Sequence, residues 1–116
     1  MESNQPGVVL VVGADLLGRT RIEQAIERSG FTPRSPSINK LSEVDISDVR
    51  AIFADVDSDE VMDAVFRLDT SGKDVLKVGY FAHVDRTRAD RVKAAGWEAM
   101  PRGRLFRELP ALLEKL

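Results

Sequence analysis

The sequence contains no cysteine and only one histidine, His83. The lack of thiols excludes disulfide frameworks, thiolate zinc sites, iron–sulfur clusters and cysteine nucleophiles. A single histidine also excludes a histidine-rich metal site. Any metal that this chain binds must therefore be held mainly by carboxylates.

Long apolar runs and an excess of one charge are also missing. The longest apolar run, residues 8–12, is far shorter than the roughly 20 residues that cross a bilayer, and no basic segment precedes it. The 116 residues carry 17 Lys and Arg against 19 Asp and Glu, which gives a net charge of −2. This balance argues against general nucleic-acid binding. We expect one cytoplasmic domain over residues 1–116, with a polar lead over residues 1–6 and no membrane contact.

Apolar runs alternate with helical patterns along the chain. The runs predict strands over residues 8–12, 31–36, 51–55, 75–81 and 97–100. Between them, the spacing predicts a helix from Asp15 to Gly30 with Leu17 facing inward, and a weak helix over residues 41–46. Further helices are predicted over residues 57–71 and over residues 85–95, the latter with Ala95 facing inward. Pro110 is expected to break or restart the last helix.

This alternation predicts an α/β fold with a five-stranded parallel, doubly wound sheet. Crossovers between parallel strands are right-handed, and the apolar first and third strands must lie inside the sheet. Two prolines in residues 31–36 place the second strand at an edge. The strand order 2-1-3-4-5 of the flavodoxin and CheY type satisfies these conditions.

Three carboxylates follow the first and third strands, at the edge where ligands bind in such sheets. Asp15, Asp55 and Asp57 are therefore expected to lie near one another. Clustered carboxylates repel, which favours either a bound divalent cation or raised pKa values. The alternative, which we favour for Asp57 and Asp59, is that these acids serve the N-terminus of the next helix.

The turn from Gly13 to Thr20 differs by one residue from a phosphate-binding loop, because Arg19 stands where that motif has lysine. A small nucleotide-binding protein is therefore one alternative. Against it, the turn contains bulky leucines, and Asp15 would repel phosphate. The simpler interpretation is a strand-to-helix turn that is capped by Asp15.

The chain resembles the receiver domains of bacterial response regulators over essentially its whole length. The segment Ala51-Ile52-Phe53-Ala54-Asp55 is similar to the strand whose terminal aspartate accepts a phosphoryl group from a histidine kinase. The resemblance implies that Asp55 is the candidate phosphoacceptor. It also implies magnesium held by two acids after the first strand, but the corresponding positions here are Gly13 and Ala14.

Other positions depart from the receiver pattern. The Ser or Thr that ends the fourth strand corresponds to Phe81 or Ala82, and an aromatic switch position corresponds to Ala99. The Lys-Pro pair that ends the fifth strand is replaced by Arg102-Gly103, so Arg102 is the candidate phosphate-facing cation. The chain therefore resembles an atypical receiver, or pseudo-receiver. It is expected to need no cofactor and to bind Mg²⁺ weakly at best, through Asp15, Asp55 and Asp57.

We hypothesise a stand-alone, non-enzymatic signalling module that acts through protein–protein contacts, with phosphorylation at Asp55 weak or absent. The main alternative is a functional phosphoacceptor receiver that uses Asp55 and catalyses its own phosphorylation from a phosphodonor. The partner is expected to be a signalling protein that the sequence does not identify, with a histidine kinase among the candidates.

Charge is unevenly distributed along the chain. Residues 43–63 contain eight acids and one base, whereas residues 86–107 contain seven bases and two acids. Arginine is enriched at protein interfaces and forms bidentate contacts with carboxylates. The predicted partner surface consists of Arg86, Arg88, Arg91, Trp97, Arg102, Arg104 and Arg107. A nucleic-acid-binding module and a merely solvated helical face are the alternative interpretations of the same bases.

Overall fold

The computed structural model describes residues 7–83 and 85–116. The predicted polar lead over residues 1–6 lies outside the described residues. The strands are β1 (Val8–Val12), β2 (Thr32–Arg34), β3 (Val49–Asp55), β4 (Leu76–Phe81) and β5 (Glu98–Pro101). The α-helices are α1 (Leu16–Arg28), α2 (Asp59–Phe66), α3 (Arg86–Ala94) and α4 (Arg102–Glu114), and a 3₁₀ helix spans Ile38–Glu43.

The five strands form one sheet in the order β2-β1-β3-β4-β5, and every pair is parallel. The predicted α/β fold with strand order 2-1-3-4-5 is therefore confirmed. The strand β2 lies at the edge, where Pro33 pairs with Val9. A proline is tolerated there because an edge strand needs ladder hydrogen bonds on one side only.

Two apolar layers cover the two faces of the sheet. On one face, α1 and α4 pack on side chains such as Val9, Val11 and Phe53. On the other face, α2, α3 and the 3₁₀ helix pack on side chains such as Leu10 and Ile52. Every residue of β1 is buried, as expected for a central parallel strand. The helices after β1 and β3 thus lie on opposite faces, which opens a crevice at the carboxyl ends of these two strands.

The helix α1 begins after Asp15, whose carboxylate accepts a hydrogen bond from the amide of Gly18, so the predicted cap is confirmed. The expectation that Leu17 faces inward is wrong. The buried face of α1 contains Gly18, Ile22 and Ile26. Leu17 lies five residues before Ile22, about 140° around the helix, and its side chain points to solvent.

The helices of the other face also differ from their predicted bounds. The helix α2 ends at Phe66, five residues before the predicted end, and Ser58 is its N-cap. In α3, Val92 is buried, whereas Ala95, predicted to face inward, is exposed. Ala95 is the residue at the C-terminal cap, where the chain already turns away from the sheet.

The helix α4 continues through Pro110, contrary to the expectation of a break. Pro110 lies on the exposed side, while Leu109, Leu112 and Leu113 are buried against the sheet. Apolar packing before and after the proline therefore offsets the amide hydrogen bond that its ring removes. Across residues 7–83 and 85–116, the helices are too short and too polar to span a membrane.

Candidate functional site

Asp55 is the last residue of β3 and lies in the crevice between β1 and β4. Its carboxylate is half-buried, and Oδ1 accepts a hydrogen bond from the amide of Asp57 at 3.0 Å. This short turn directs the chain away from the sheet immediately after the strand. The structure therefore presents Asp55 at the crevice where ligands of such sheets bind.

Asp15 and Arg102 meet at the same edge of the sheet. Arg102 Nη1 lies 3.4 Å from Oδ2 of Asp15, and Nη2 lies 3.4 Å from Oδ1. Asp15 Oδ1 also accepts the amide hydrogen of Gly18 at 2.7 Å. These contacts, first the Gly18 hydrogen bond and then Arg102, lower the pKa of Asp15 below its ordinary value of 3.8. Asp15 is therefore an ionised helix cap with a resident counter-ion.

The carboxylate of Asp57 connects two loops. Its Oδ2 accepts a hydrogen bond from the amide of Ala82, just after β4, at 2.8 Å. The favoured interpretation of Asp57 as a helix acid is therefore wrong, since Ser58 accepts the hydrogen bond from Val61 that caps α2. Asp59, by contrast, lies in the first turn of α2, as that interpretation required.

The charges around Asp55 act in both directions on its pKa. Burial, the largest influence, raises the pKa of Asp55, and the negative charges of Asp57 and Asp15 add to this. The hydrogen bond from the Asp57 amide and the positive charge of Arg102 oppose it. The pKa of Asp55 is raised on balance, as expected for clustered carboxylates, whereas the pKa of Asp15 is lowered.

Tyr80 was not singled out by sequence reasoning, yet its hydroxyl lies under this cluster. Tyr80 pairs with Asp55 in the β3–β4 ladder and is 2% exposed. Among the described residues, its hydroxyl is the one buried side-chain polar atom without a hydrogen-bond partner. Burial and the charge of Asp55 raise its pKa, so the phenol is neutral and free to donate. Only the strand register brings the two residues together, and no sequence motif signals it.

The three carboxylates do not fit a magnesium ion. In the part of the chain that the structure describes, no three Asp, Glu or His side chains are grouped so that they could hold a metal. Asp15 is directed to Gly18 and Arg102, and Asp57 to Ala82. The expected weak site formed by Asp15, Asp55 and Asp57 is thus not assembled.

The position that ends β1 also leaves no room for an acid. Gly13 has φ +81°, and an added Cβ would lie 2.6 Å from a methyl group of Val61. A side chain there would be strained and would collide with α2. The packing of α2 therefore favours glycine over an acid at position 13.

The turn from Gly13 to Thr20 does not form a phosphate cradle. The amides of Gly18 and Arg19 donate to the carboxylate and the carbonyl of Asp15. The hydroxyl of Thr20 donates to the carbonyl of Leu16. Donors that a bound phosphate would need are therefore already used within the turn.

The structure divides the predicted basic surface. On α3, Arg88 pairs with Asp59 at 2.6 Å and Arg91 with Asp63 at 3.5 Å, both acids belonging to α2. The bases of α4 lie on the opposite face of the sheet, and there Arg104 pairs with Glu108. The predicted single surface of Arg86, Arg88, Arg91, Trp97, Arg102, Arg104 and Arg107 is therefore not formed as one patch.

Trp97 is buried in the core and cannot act as a surface anchor. It is 5% exposed, and its ring lies 5.8 Å from that of Phe66 at an angle of 58°. The sequence placed it on a short edge strand, but it precedes β5 and packs beneath the end of α2. Its aromatic area contributes to the stability of the core.

Solved structures share this architecture. A response regulator from Thermotoga maritima aligns over 95% of this chain and 96% of its own, with a TM-score of 0.74 and 18% identity. A response regulator receiver protein from Burkholderia phymatum aligns over 93% and 95%, with a TM-score of 0.66 and 21% identity. The chain has the fold of a response regulator receiver. No family model and no curated protein matches its sequence.

A further structure covers a receiver within a longer protein. The C-terminus of Escherichia coli RcsC, which contains a linker region and a phosphoreceiver domain, aligns over 99% of this chain and 48% of its own. The TM-score is 0.64 and the identity is 14%. Within the receiver fold, Phe81 is buried at the end of β4 and Ala82 is exposed, and neither supplies a hydroxyl.

Proposed function

We propose that this chain is a signalling module with a receiver fold that acts through protein–protein contacts, and that phosphorylation at Asp55 is weak or absent. The observation that supports this most directly is the pair between Arg102 and Asp15. The guanidinium group of Arg102 pairs with Asp15, the acid that follows β1. Among the described residues, the group of metal ligands that phosphoryl transfer needs is not assembled.

The energetic argument concerns charge on the phosphoryl oxygens. Phosphoryl transfer depends on cations that neutralise the charge developing on these oxygens. Among the described residues, Arg102 supplies the positive charge that acts on Asp55, and Asp15 and Asp57 supply negative charges. These two carboxylates would repel an incoming phosphoryl group. A cation already bound to Asp15 replaces a metal ion only in part.

The test is incubation with acetyl phosphate and Mg²⁺, followed by intact mass measurement. We expect the mass to remain largely unchanged over a time in which a competent receiver is converted. Asp55→Asn is the matched variant, and Asp69→Asn controls for modification of an exposed carboxylate in a similar turn. A stoichiometric phosphate adduct in the wild type and in Asp69→Asn, but absent from Asp55→Asn, would overturn the proposal.

A functional phosphoacceptor is the second candidate, and one specific observation favours it. The buried hydroxyl of Tyr80 is unpartnered and lies close enough to Asp55 for the charge of Asp55 to raise the pKa of Tyr80. It could donate to an oxygen of a phosphoryl group on Asp55, in place of the missing Ser or Thr. Under this alternative, Tyr80→Phe reduces the yield of the phosphate adduct and leaves the fold intact.

The other sequence-based expectations keep the status of proposals. A cytoplasmic location, one domain over residues 1–116 and a histidine kinase as one candidate partner are compatible with the receiver fold. For nucleotide binding by the Gly13–Thr20 turn, no observation adds support. The paired arginines of α3 weaken the case for nucleic acid, since their guanidinium groups already contact carboxylates.

A further inference from the structure

The hydroxyl of Tyr80 lies inside the apolar layer between the sheet and the helices α1 and α4. Apolar side chains such as Val11, Met100 and Leu105 belong to the same layer. Folded proteins pair nearly all of their buried polar groups, because an unpaired group loses its hydrogen bonds to water and gains none. In residues 7–83 and 85–116, this hydroxyl is the one buried side-chain oxygen or nitrogen without a partner. A phenylalanine would fill the same space without that cost, so the hydroxyl indicates a role beyond packing.

Asp55 is the acceptor that the sheet places beside this hydroxyl. The two residues are partners in the parallel β3–β4 ladder, where strands lie about 4.8 Å apart and paired side chains point to the same face. Phe53 and Val78, two residues earlier on each strand, lie in the same apolar layer. Both side chains therefore extend towards α1 and α4, with Asp55 half-buried and Tyr80 fully enclosed. Of the charged groups around the phenol, Asp55 has the largest effect on its pKa.

Rotation of the Asp55 side chain would bring its carboxylate to the hydroxyl. In the structure, Oδ1 accepts the amide hydrogen of Asp57, and we call this the outward position. Aspartate has three staggered χ1 rotamers and a broad χ2 distribution, so other positions are accessible. In an inward position, the carboxylate accepts the hydrogen of Tyr80 and leaves the amide of Asp57 to water. One hydrogen bond is exchanged for another, and the buried donor gains a partner.

A buried water molecule is the other kind of partner for such a hydroxyl. Buried waters make about three hydrogen bonds to polar groups on average. The side chains that enclose Tyr80 in its layer are apolar and offer no such bonds. The ladder partner Asp55 is therefore the better candidate, and a bridging water is an outcome that the test separates.

We propose that the phenol of Tyr80 donates a hydrogen bond to the carboxylate of Asp55 and holds it in the inward position in a substantial part of the molecules. Tyr80 is thus a positioning residue. The inward carboxylate is withdrawn from the crevice and has a lone pair already in use, so it is a poorer acceptor for a phosphoryl group. This inference rests on the proposed function and adds a cause of weak phosphorylation that lies in the chain's own residues.

The first test measures the χ1 rotamers of Asp55 in the full, isotopically labelled chain, from three-bond NMR couplings of its β-protons. We expect two rotamers in the wild type, and in Tyr80→Phe the population of the inward rotamer should fall at least about fivefold. Val78→Ala is the matched control, because it alters the same apolar layer but keeps the hydroxyl. A single outward rotamer in the wild type would overturn the proposal. Rotamers that are unchanged in Tyr80→Phe would overturn it in favour of a bridging water.

The second test is a double-mutant cycle of Tyr80→Phe and Asp55→Ala, followed by urea denaturation. A hydrogen bond to Asp55 predicts that Tyr80→Phe lowers the folding equilibrium constant about fivefold in the wild type and not in Asp55→Ala. A Tyr80→Phe chain that is more stable than the wild type, or equal effects in both backgrounds, would show that the hydroxyl has no bond to Asp55. A phosphate adduct on the wild type would refute the proposed function and leave both of these measurements standing.

Discussion

The carboxylate of Asp57 accepts a hydrogen bond from the amide of Ala82, 25 residues further along the chain. This contact joins the loop that follows Asp55 to the loop that follows β4. Arg88 reinforces the junction from α3, where Nη1 donates to the carbonyl of Val56 at 2.9 Å. A resident anion thus holds the backbone at Ala82 against the loop next to Asp55.

The first prediction concerns this junction. Asp57→Ala removes the acceptor, so the amide of Ala82 should exchange with solvent faster and the free energy of unfolding should fall by about 1 kcal/mol. Hydrogen exchange followed by NMR measures the exchange rate of the Ala82 amide, and urea denaturation measures the free energy of unfolding. Asp45→Ala is the control, because its carboxylate accepts hydrogen bonds from nearby Ser47 within the same loop. Unchanged exchange at Ala82 would show that the hydrogen bond does not hold the loop.

The second prediction is a pH dependence. The pKa of Asp55 is raised in the folded chain, so its stabilising contribution is complete below the ordinary value of 3.8 and is lost as pH rises through the folded pKa. Asp55→Asn cannot ionise, and it should therefore be more stable than the wild type at neutral pH. The gain should vanish near pH 3.8.

Asp69→Asn gives the matched control for this pH dependence. A hydrogen bond from the amide of Ser71 lowers the pKa of Asp69, so ionisation there favours the folded chain at neutral pH. This substitution should change stability in the opposite direction. Denaturation curves between pH 3 and pH 7 measure both variants, and an Asp55→Asn chain that is less stable at neutral pH would contradict the expected sign.

The third prediction concerns the binding of Mg²⁺ beside Asp15, with and without Arg102. Millimolar Mg²⁺ should leave the melting temperature of the wild type unchanged, because Asp15 already has its counter-ion. Arg102→Gln removes this counter-ion but leaves Asp15 bonded to Gly18 and Asp57 bonded to Ala82, so Mg²⁺ should not stabilise the variant either. A gain of about 1 kcal/mol, which would raise the melting temperature of a domain of this size by roughly 4 °C, would contradict this expectation. Arg104→Gln, which breaks a pair within α4, is the control.

The fourth prediction concerns Pro110 in the middle of α4. Replacing an exposed proline inside a helix by alanine restores a backbone hydrogen bond, while the unfolded chain gains some freedom. Pro110→Ala should therefore raise the free energy of unfolding by about 2 kcal/mol. Chemical denaturation measures this, with Ala111→Gly as an opposite control on the same exposed turn. A destabilised Pro110→Ala chain would indicate that the proline is needed for packing.

The sequence predicted the sheet well because buried parallel strands leave a clear pattern. Runs such as residues 8–12 have no other placement, and Asp15 before a helical pattern indicates a cap through local chemistry alone. The contacts of the candidate site were harder to predict from the sequence. Tyr80 meets Asp55 through the register of two strands, and Asp57 meets Ala82 through the shape of two loops. These relationships depend on tertiary placement, which neither periodicity nor composition encodes.

Helix α3 is attached differently from the other helices. It buries one side chain fully, Val92, with Ala89 partly buried beside it, and Arg88 and Arg91 add polar contacts to α2 and to the carbonyl of Val56. Ion pairs at a surface are screened by salt, whereas apolar burial is not. Local unfolding should therefore begin at α3 and become easier as ionic strength rises. Because Arg88 contacts the carbonyl that directly follows Asp55, each opening of α3 also uncovers the edge of the crevice.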